Sequence, residues 1–179
     1  MFKDNSVAPF VPSQVEVVRR MLEVAQVGSD DVVYDLGCGD GRILFTAVRE
    51  FGAKRAVGYE LRDDLYRKVV REIESQGLRG RVRVLNRDLF DADITEATVI
   101  TLYLTTFGNE RLEPKLRREA RYGARVVSHD FNVKPWQAVR KESFHGHTVY
   151  LFVVPQSFSG REGVRRDWFG RLRRLRSPW

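Results

Sequence analysis

The chain has 179 residues and a formal net charge of +7, with 42% hydrophobic and 31% charged residues. This length predicts one domain that buries most of its apolar surface, and no apolar run is long enough to cross a bilayer. A single cysteine, Cys38, excludes an internal disulfide framework, and the polar residues after Met1 do not resemble an export signal. We therefore expect a cytoplasmic protein, and we expect it to be a monomer.

The first predicted helix begins after an extended, proline-containing segment. Residues 13–16, Ser-Gln-Val-Glu, fit a capping box in which Ser13 is the N-cap and Glu16 reaches back to it. Apolar residues then recur at helical spacing, which predicts a buried face, and Gly28 ends the helix. The expected buried positions are Val15, Val18, Leu22 and Ala25.

A glycine-rich loop follows the first predicted strand, Val32 to Asp35. Glycine tolerates positive φ and has no Cβ, so the backbone there can turn sharply into a helix and lie directly against a ligand. An acid followed by glycines at alternate positions is typical of methyltransferases that use S-adenosylmethionine (SAM). The residues assigned to cofactor binding in this loop are Asp35, Gly37, Cys38, Gly39 and Gly41.

Two further acids follow the second and third predicted strands. Glu60 ends the apolar run 56–59, and an acid at this place accepts hydrogen bonds from ribose hydroxyls in dinucleotide-type sites. Asp88 follows the run 82–86, where an acid contacts the adenine amino group in SAM enzymes, with the backbone N–H of Leu89 near the ring. Because the loop and both acids occur in order and at the spacing of βαβ units, together they predict SAM binding.

The remaining elements alternate between helix and strand. Helices are predicted at 41–51, 63–76 and 109–121, and strands at 82–85, 97–104 and 124–128. Two later strands, 138–144 and 148–154, flank a tight turn at His145 and Gly146. This order predicts a doubly wound, seven-stranded Rossmann-like α/β sheet with a C-terminal antiparallel β-hairpin, the class I SAM-dependent methyltransferase fold.

The segment after the fourth strand excludes several classes of methyl acceptor. Residues 102–106 contain no Asn/Asp-Pro-Pro-aromatic turn for base amines, no cysteine for cytosine C5 and no glutamate pair for arginine. A metal site is also not expected. His129 and Asp130 are adjacent, but the sequence offers no evident third ligand, because His145 and His147 fall in the hairpin turn.

Four segments resemble a known family: Pro9–Ser13, Tyr34–Ile43, Thr101–Thr105 and Gly123–Phe131. They are similar to the archaeal broad-specificity protein lysine methyltransferases, which are related to mitochondrial lysine methyltransferases of an ATP synthase subunit and of the adenine nucleotide carrier. The resemblance covers about residues 7–155. It implies transfer of the SAM methyl group to lysine ε-amines of proteins, with chromatin-type proteins among the expected substrates.

Lysine methylation needs a neutral amine, and a partly apolar channel favours that form. Aromatic faces can also hold a methylated cation. We assign this channel to Tyr103, Phe10, Phe131 and Trp136, and core packing is the alternative role for each of them.

Further site residues complete these expectations. Tyr103 is expected to act in catalysis, His129 could relay a proton to solvent, and Thr105 could orient the amine. Phe10 and Pro12 are also assigned to cofactor binding.

The positive charge is concentrated at the C-terminal end, where residues 156–179 contain seven arginines and only two acids. We therefore divide the chain into a methyltransferase domain, 1–155, and a basic tail, 156–179. The tail either docks on the domain as a helix or contacts nucleic acid, a membrane or an acidic protein.

Two alternative functions stay open at this point. The first is an RNA or small-molecule methyltransferase, because the fold does not fix the substrate. The second is a nucleic-acid-binding protein with a vestigial SAM pocket.

Overall fold

The structure is a computed structural model that describes residues 10–158. Residues 1–9 and 159–179 lie outside this range, and with them most of the predicted basic tail. No helix within residues 10–158 is long and apolar enough to cross a membrane.

Helices and strands alternate along the chain, as predicted. The helices are α1 (Val15–Val24), α2 (Arg42–Arg49), α3 (Asp63–Ser75) and α4 (Thr106–Glu119), with a short 3₁₀ turn at Leu89–Asp91. The strands are β1 (Val32–Leu36), β2 (Arg55–Tyr59), β3 (Val82–Leu85), β4 (Val99–Leu102), β5 (Arg125–His129), β6 (Arg140–Phe144) and β7 (His147–Val153).

These strands form one seven-stranded sheet in the order β3-β2-β1-β4-β5-β7-β6. Strands β1 to β5 pair in parallel, whereas β7 is antiparallel to both β5 and β6. The predicted fold class is confirmed, including the closing hairpin. The chain order reverses between β1 and β4, and ligands bind at such a switch point in open α/β sheets, outside the carboxyl ends of the strands.

The sheet separates two apolar layers. Helices α1, α2 and α3 pack on one face, through residues such as Val17, Leu44 and Val69. Helix α4 packs on the other face, through Leu112 and Leu116. Strands β1 and β4 are buried along their whole length, which explains why their sequences are nearly continuous apolar runs.

The predicted start of α1 is wrong. Gln14 is the N-cap and makes no side-chain capping bond, so Ser13 and Glu16 do not form a capping box. Ser13 is instead buried, with its Oγ 2.9 Å from Nδ1 of His129. The buried face also differs from the prediction, since Val15 is 41% exposed while Met21 is fully buried.

Candidate active site

A cleft lies at the carboxyl ends of β1, β2 and β4, where the topology predicts it. Its empty volume is about 840 Å³, part of which is open to solvent. Nine of the ten residues assigned to cofactor binding line it: Phe10, Pro12, Asp35, Gly37, Cys38, Gly39, Glu60, Asp88 and Leu89.

Gly41, the tenth, does not line the cleft. Its φ of +79° places it as the N-cap of α2, and a Cβ there would lie only 3.0 Å from Phe45 and 3.1 Å from Val69. A glycine is therefore required at this position, where the loop enters α2 and lies close to α3. Gly41 forms no part of the cleft wall.

The first two glycines form the floor of the cleft. Gly37 has a φ of +92°, and its N–H and that of Cys38 both donate to the carbonyl of Tyr59, each at 2.9 Å. At Gly39 a Cβ would lie 2.5 Å from Cε2 of Phe10. The N-terminal segment therefore rests against the bare backbone of Gly39, and the contact of these glycines with a cofactor stays a prediction.

Glu60 holds the loop in place through both of its carboxylate oxygens. Oε2 accepts the N–H of Gly39 at 2.8 Å, and Oε1 accepts the N–H of Arg62 at 2.8 Å. The residue is only 8% exposed, and it lies at the end of β2. A carboxylate offers about four acceptor positions, so positions remain for hydroxyl groups of a ligand.

Asp88 and Leu89 lie on the adjacent wall of the cleft, after β3. Oδ1 of Asp88 accepts the N–H of Phe90 at 3.0 Å, which starts the 3₁₀ turn and fixes the carboxylate at the edge of the cleft. Leu89 is 8% exposed and supplies an apolar surface beside that carboxylate. This pairing of an acceptor with an apolar face suits a purine ring.

Asp35 is buried at the end of β1, where Oγ1 of Thr101 donates to its Oδ1 at 2.7 Å. Burial raises the pKa of this carboxyl to about 7, although the bond from Thr101 acts in the opposite direction, and the charges of Glu60 and Asp40 raise it further. The ionised form of Asp35 is therefore destabilised in the free protein, and a positively charged ligand would stabilise it.

This raised pKa gives a testable dependence of stability on pH. Between an unfolded value near 3.9 and the folded value of about 7, the folded protein binds more protons than the unfolded chain. Asp35 therefore contributes a loss of stability as the pH rises through that window. We expect Asp35→Asn, which keeps an acceptor for Thr101, to gain stability relative to the native chain as the pH rises.

The measurement is urea unfolding without cofactor at several values from roughly pH 5 to pH 8. The difference between the native chain and Asp35→Asn cancels the contributions of titrating groups that do not interact with Asp35. A difference that does not change with pH would contradict a raised pKa at Asp35.

The N-terminal segment, residues 10–13, forms the outer wall of the cleft. Arg42 donates to the carbonyl of Ser13 at 2.6 Å and pairs with Asp40 at 2.6 Å, so the glycine loop anchors this segment. The guanidinium of Arg62 lies over the ring of Phe10, 5.9 Å from its centroid. The sequence reasoning missed Arg42 and Arg62, although Asp40-Gly-Arg42 stands within the glycine motif.

Tyr103 lines the same cleft from the end of β4. Its ring stacks on His129 with centroids 3.8 Å apart and an interplanar angle of 26°, and Phe131 lies 6.4 Å away in a similar orientation. Burial raises the pKa of the Tyr103 hydroxyl, so the group stays protonated at neutral pH. The three predicted residues therefore form one aromatic stack beside the cofactor loop.

Thr105 and Trp136 lie in different settings. Thr105 is the N-cap of α4, where its hydroxyl accepts the N–H of Gly108 at 3.0 Å, so α4 begins three residues before its predicted start. Trp136 is 2% exposed and packs in the core against Phe158, with Nε1 donating to Glu113 at 2.6 Å. The structure thus places Trp136 in the core and not along the cleft. Core packing was the alternative role for this residue.

His129 belongs to a cluster that the sequence did not predict. Its Nε2 lies 3.0 Å from Nδ1 of His147, which in turn lies 2.9 Å from Oδ2 of Asp130. The expectation that His147 stays apart in the hairpin turn is therefore wrong. Burial lowers the pKa of His129 to about 4, although Asp130 acts in the opposite direction, so this ring is neutral at physiological pH.

The chain is similar to known methyltransferases. Residues 35–140 match the family described as the ANTKMT methyltransferase domain. A protein-lysine N-methyltransferase of Saccharolobus islandicus is 48% identical, with 82% of this chain and 93% of that protein covered. The adenine nucleotide translocase lysine N-methyltransferase of Mus musculus is 31% identical over 73% of this chain, and the match covers only 56% of the mouse protein.

A solved structure is also similar. The RNA methyltransferase from Salinibacter ruber, in complex with S-adenosyl-L-homocysteine, is 44% identical with a TM-score of 0.79. The match covers 83% of this chain and 96% of that chain. The predicted resemblance, methyltransferase activity and SAM cofactor are confirmed, and the chain belongs to the ANTKMT methyltransferase domain family of SAM-dependent methyltransferases.

Proposed function

We propose that this chain methylates lysine ε-amines of proteins and that the acceptor amine enters the cleft beside Tyr103. The observation that carries the proposal is the aromatic stack of Tyr103 on His129, which stands next to the cofactor loop. The predicted protein-lysine methyltransferase activity is confirmed by the Saccharolobus islandicus relative and by the family match.

The cofactor residues are proposed from their positions in the cleft. Glu60 accepts hydrogen bonds from the ribose hydroxyls, and Asp88 with Leu89 holds the adenine ring. Gly37 lets the methionine part lie against backbone, the ring of Phe10 covers Gly39, and Asp35 is the nearby carboxyl group whose ionised form a cationic ligand favours. When bound, SAM supplies a sulfonium that is already a strong electrophile, so the task of the protein is mainly to position the acceptor.

The second task of the protein is to present the amine in its neutral form. Lysine has a reference pKa near 10.4, so water at neutral pH holds almost all of it as ammonium. Tyr103 lines the cleft, with its ring packed on His129 and near Phe131, and this aromatic surface disfavours the charged form by excluding water. The proton relay by His129 stays a prediction.

An RNA acceptor is the second candidate, because the similar structure from Salinibacter ruber is that of a protein called an RNA methyltransferase. Arg62 and Arg87 line the outer part of the cleft, where they could contact phosphate groups. The segment after β4 still lacks the polar proline turn that holds an exocyclic base amine. Lysine is therefore the acceptor that the residues favour.

Incubation of the tag-free protein with tritiated SAM and a total cell lysate distinguishes the two acceptors. One half of each reaction is treated with RNase and the other with protease before the label is counted. We expect label that survives RNase and is lost with protease. Label that RNase removes would support the RNA candidate and contradict the lysine proposal.

The partners that we propose are proteins with accessible lysines, and chromatin-type proteins stay a prediction among them. The monomeric state, the cytoplasmic location and the contacts of the basic tail with acidic partners also stay predictions. A variant that ends at residue 158 tests the tail directly, since we expect it to keep SAM binding and to change only which proteins are labelled.

A further inference from the structure

Three potential metal ligands converge at the carboxyl end of β5. Nε2 of His129, Nδ1 of His147 and Oδ2 of Asp130 form a triangle with sides of 3.0, 2.9 and 3.4 Å. His129 is buried, whereas the side chains of Asp130 and His147 are 29% and 25% exposed. The triangle can therefore be reached from solvent on one side.

Hydrogen bonds alone do not account well for this triangle. A neutral imidazole carries one N–H, and an ionised carboxylate only accepts. If Nδ1 of His147 carries its proton, that proton points at Asp130 or is shared weakly with His129. If it does not, its lone pair faces the carboxylate at 2.9 Å. No choice of protonation states places a separate hydrogen bond both between His129 and His147 and between His147 and Asp130.

A single cation relieves this conflict, because all three atoms are then electron-pair donors to one centre. An ion about 1 Å above the plane of the triangle would lie ~2.0–2.1 Å from each atom, which matches Zn–N and Zn–O bonds. The sides of the triangle are also close to the ~3.3 Å that separates neighbouring ligands in a tetrahedral site with such bonds.

The surroundings of the triangle support the ligand orientations. Oδ1 of Asp130 accepts the N–H of Thr148 at 2.8 Å, so Oδ2 is the oxygen that turns toward the histidines. Nδ1 of His129 lies 2.9 Å from Oγ of Ser13, which leaves Nε2 for the triangle. Partners of this kind fix the orientation of metal ligands. Asp130 also has a φ of +60°, a strained conformation that brings its carboxylate to this position.

We propose that His129, Asp130 and His147 bind one divalent transition-metal ion of the Zn²⁺ type, with a water molecule in the open position. Two imidazole nitrogens and one carboxylate suit such an ion better than Mg²⁺ or Ca²⁺, which prefer oxygen ligands. The ion links the end of β5 to the start of β7 and fixes the His129 ring beneath Tyr103. The proposal does not depend on the identity of the methyl acceptor.

The test is metal binding by tag-free protein, without any measurement of methyl transfer. Purified chain is stripped with chelator, titrated with Co²⁺ and Zn²⁺, and examined by visible absorption and by metal content after gel filtration. The variants are His147→Gln and Asp130→Asn, and Asn tolerates the positive φ at residue 130. The chain has three histidines, and the third, His145, is exposed in the same hairpin turn, so His145→Gln is the matched control.

We expect about one Zn²⁺ per native chain and a tetrahedral Co²⁺ spectrum, with affinity weakened by at least ~100-fold in both ligand variants, since even outer partners of metal sites contribute 10–100-fold. His145→Gln should bind as the native chain does. Retained SAM binding shows that each variant is folded. A native chain that takes up neither ion, or ligand variants that bind as well as His145→Gln, would overturn the proposal.

Discussion

Replacing Glu60 by glutamine should weaken SAM binding by about 100-fold, as measured by calorimetric titration. The carboxylate accepts the N–H groups of Gly39 and Arg62 at 2.8 Å each. A glutamine amide can accept only one of these bonds, and its NH₂ group would face the other donor. It also offers fewer acceptors to the ribose hydroxyls. The substitution therefore weakens both the hydrogen bonds that hold the loop and the proposed contact with the ribose.

The matched control for Glu60→Gln is Glu96→Gln. Glu96 has a side chain that is 64% exposed, and it pairs with Arg55 on the surface at 3.1 Å, where ion pairs contribute little. The control should bind SAM with native affinity. If Glu60→Gln is folded by circular dichroism and also binds SAM with native affinity, then Glu60 does not hold the cofactor.

Replacing Tyr103 by alanine should lower kcat by about 100-fold or more while the protein still binds SAM, because a misplaced acceptor has an effect of this size. The substitution removes the ring that stacks on His129 at 3.8 Å and opens the wall of the cleft to water. Both effects favour the ammonium form of lysine, which cannot accept a methyl group.

Tyr103→Phe is the control that separates the ring from the hydroxyl. It keeps the stack on His129 and the apolar wall, so we expect it to retain most of the native kcat. If phenylalanine lowers kcat as much as alanine does, the hydroxyl and not the ring is the essential group. If alanine leaves kcat unchanged, Tyr103 is not part of the acceptor site.

The cofactor side of the cleft could be predicted from the sequence because each signal is local. The glycine loop, Glu60 and Asp88 each directly follow a strand, and parallel strands bring their carboxyl ends to one edge of the sheet. Gly41 shows the limit of this reasoning, since spacing alone does not separate a glycine that faces the ligand from one that faces Phe45 and Val69.

The acceptor side depends on contacts between distant segments, which local patterns do not contain. Ser13 fits a capping box in sequence, but its hydroxyl lies against His129, 116 residues away. Trp136 is aromatic like Tyr103, yet it packs in the core, where Glu113 on α4 accepts its N–H. Of these residues, only the position of His147 could have been predicted from the sequence. Antiparallel pairing of β5 with β7 sets His129 against Val149 and so brings His147 near Asp130.

The central claim is that the acceptor is a lysine ε-amine of a protein. Tandem mass spectrometry of the proteins labelled in a lysate tests it most directly, because it identifies the modified side chain. We predict methyl-lysine on several proteins, present with the native chain and strongly reduced with Glu60→Gln and Tyr103→Ala. Methylated arginine or carboxylates, or label confined to RNA, would contradict the claim.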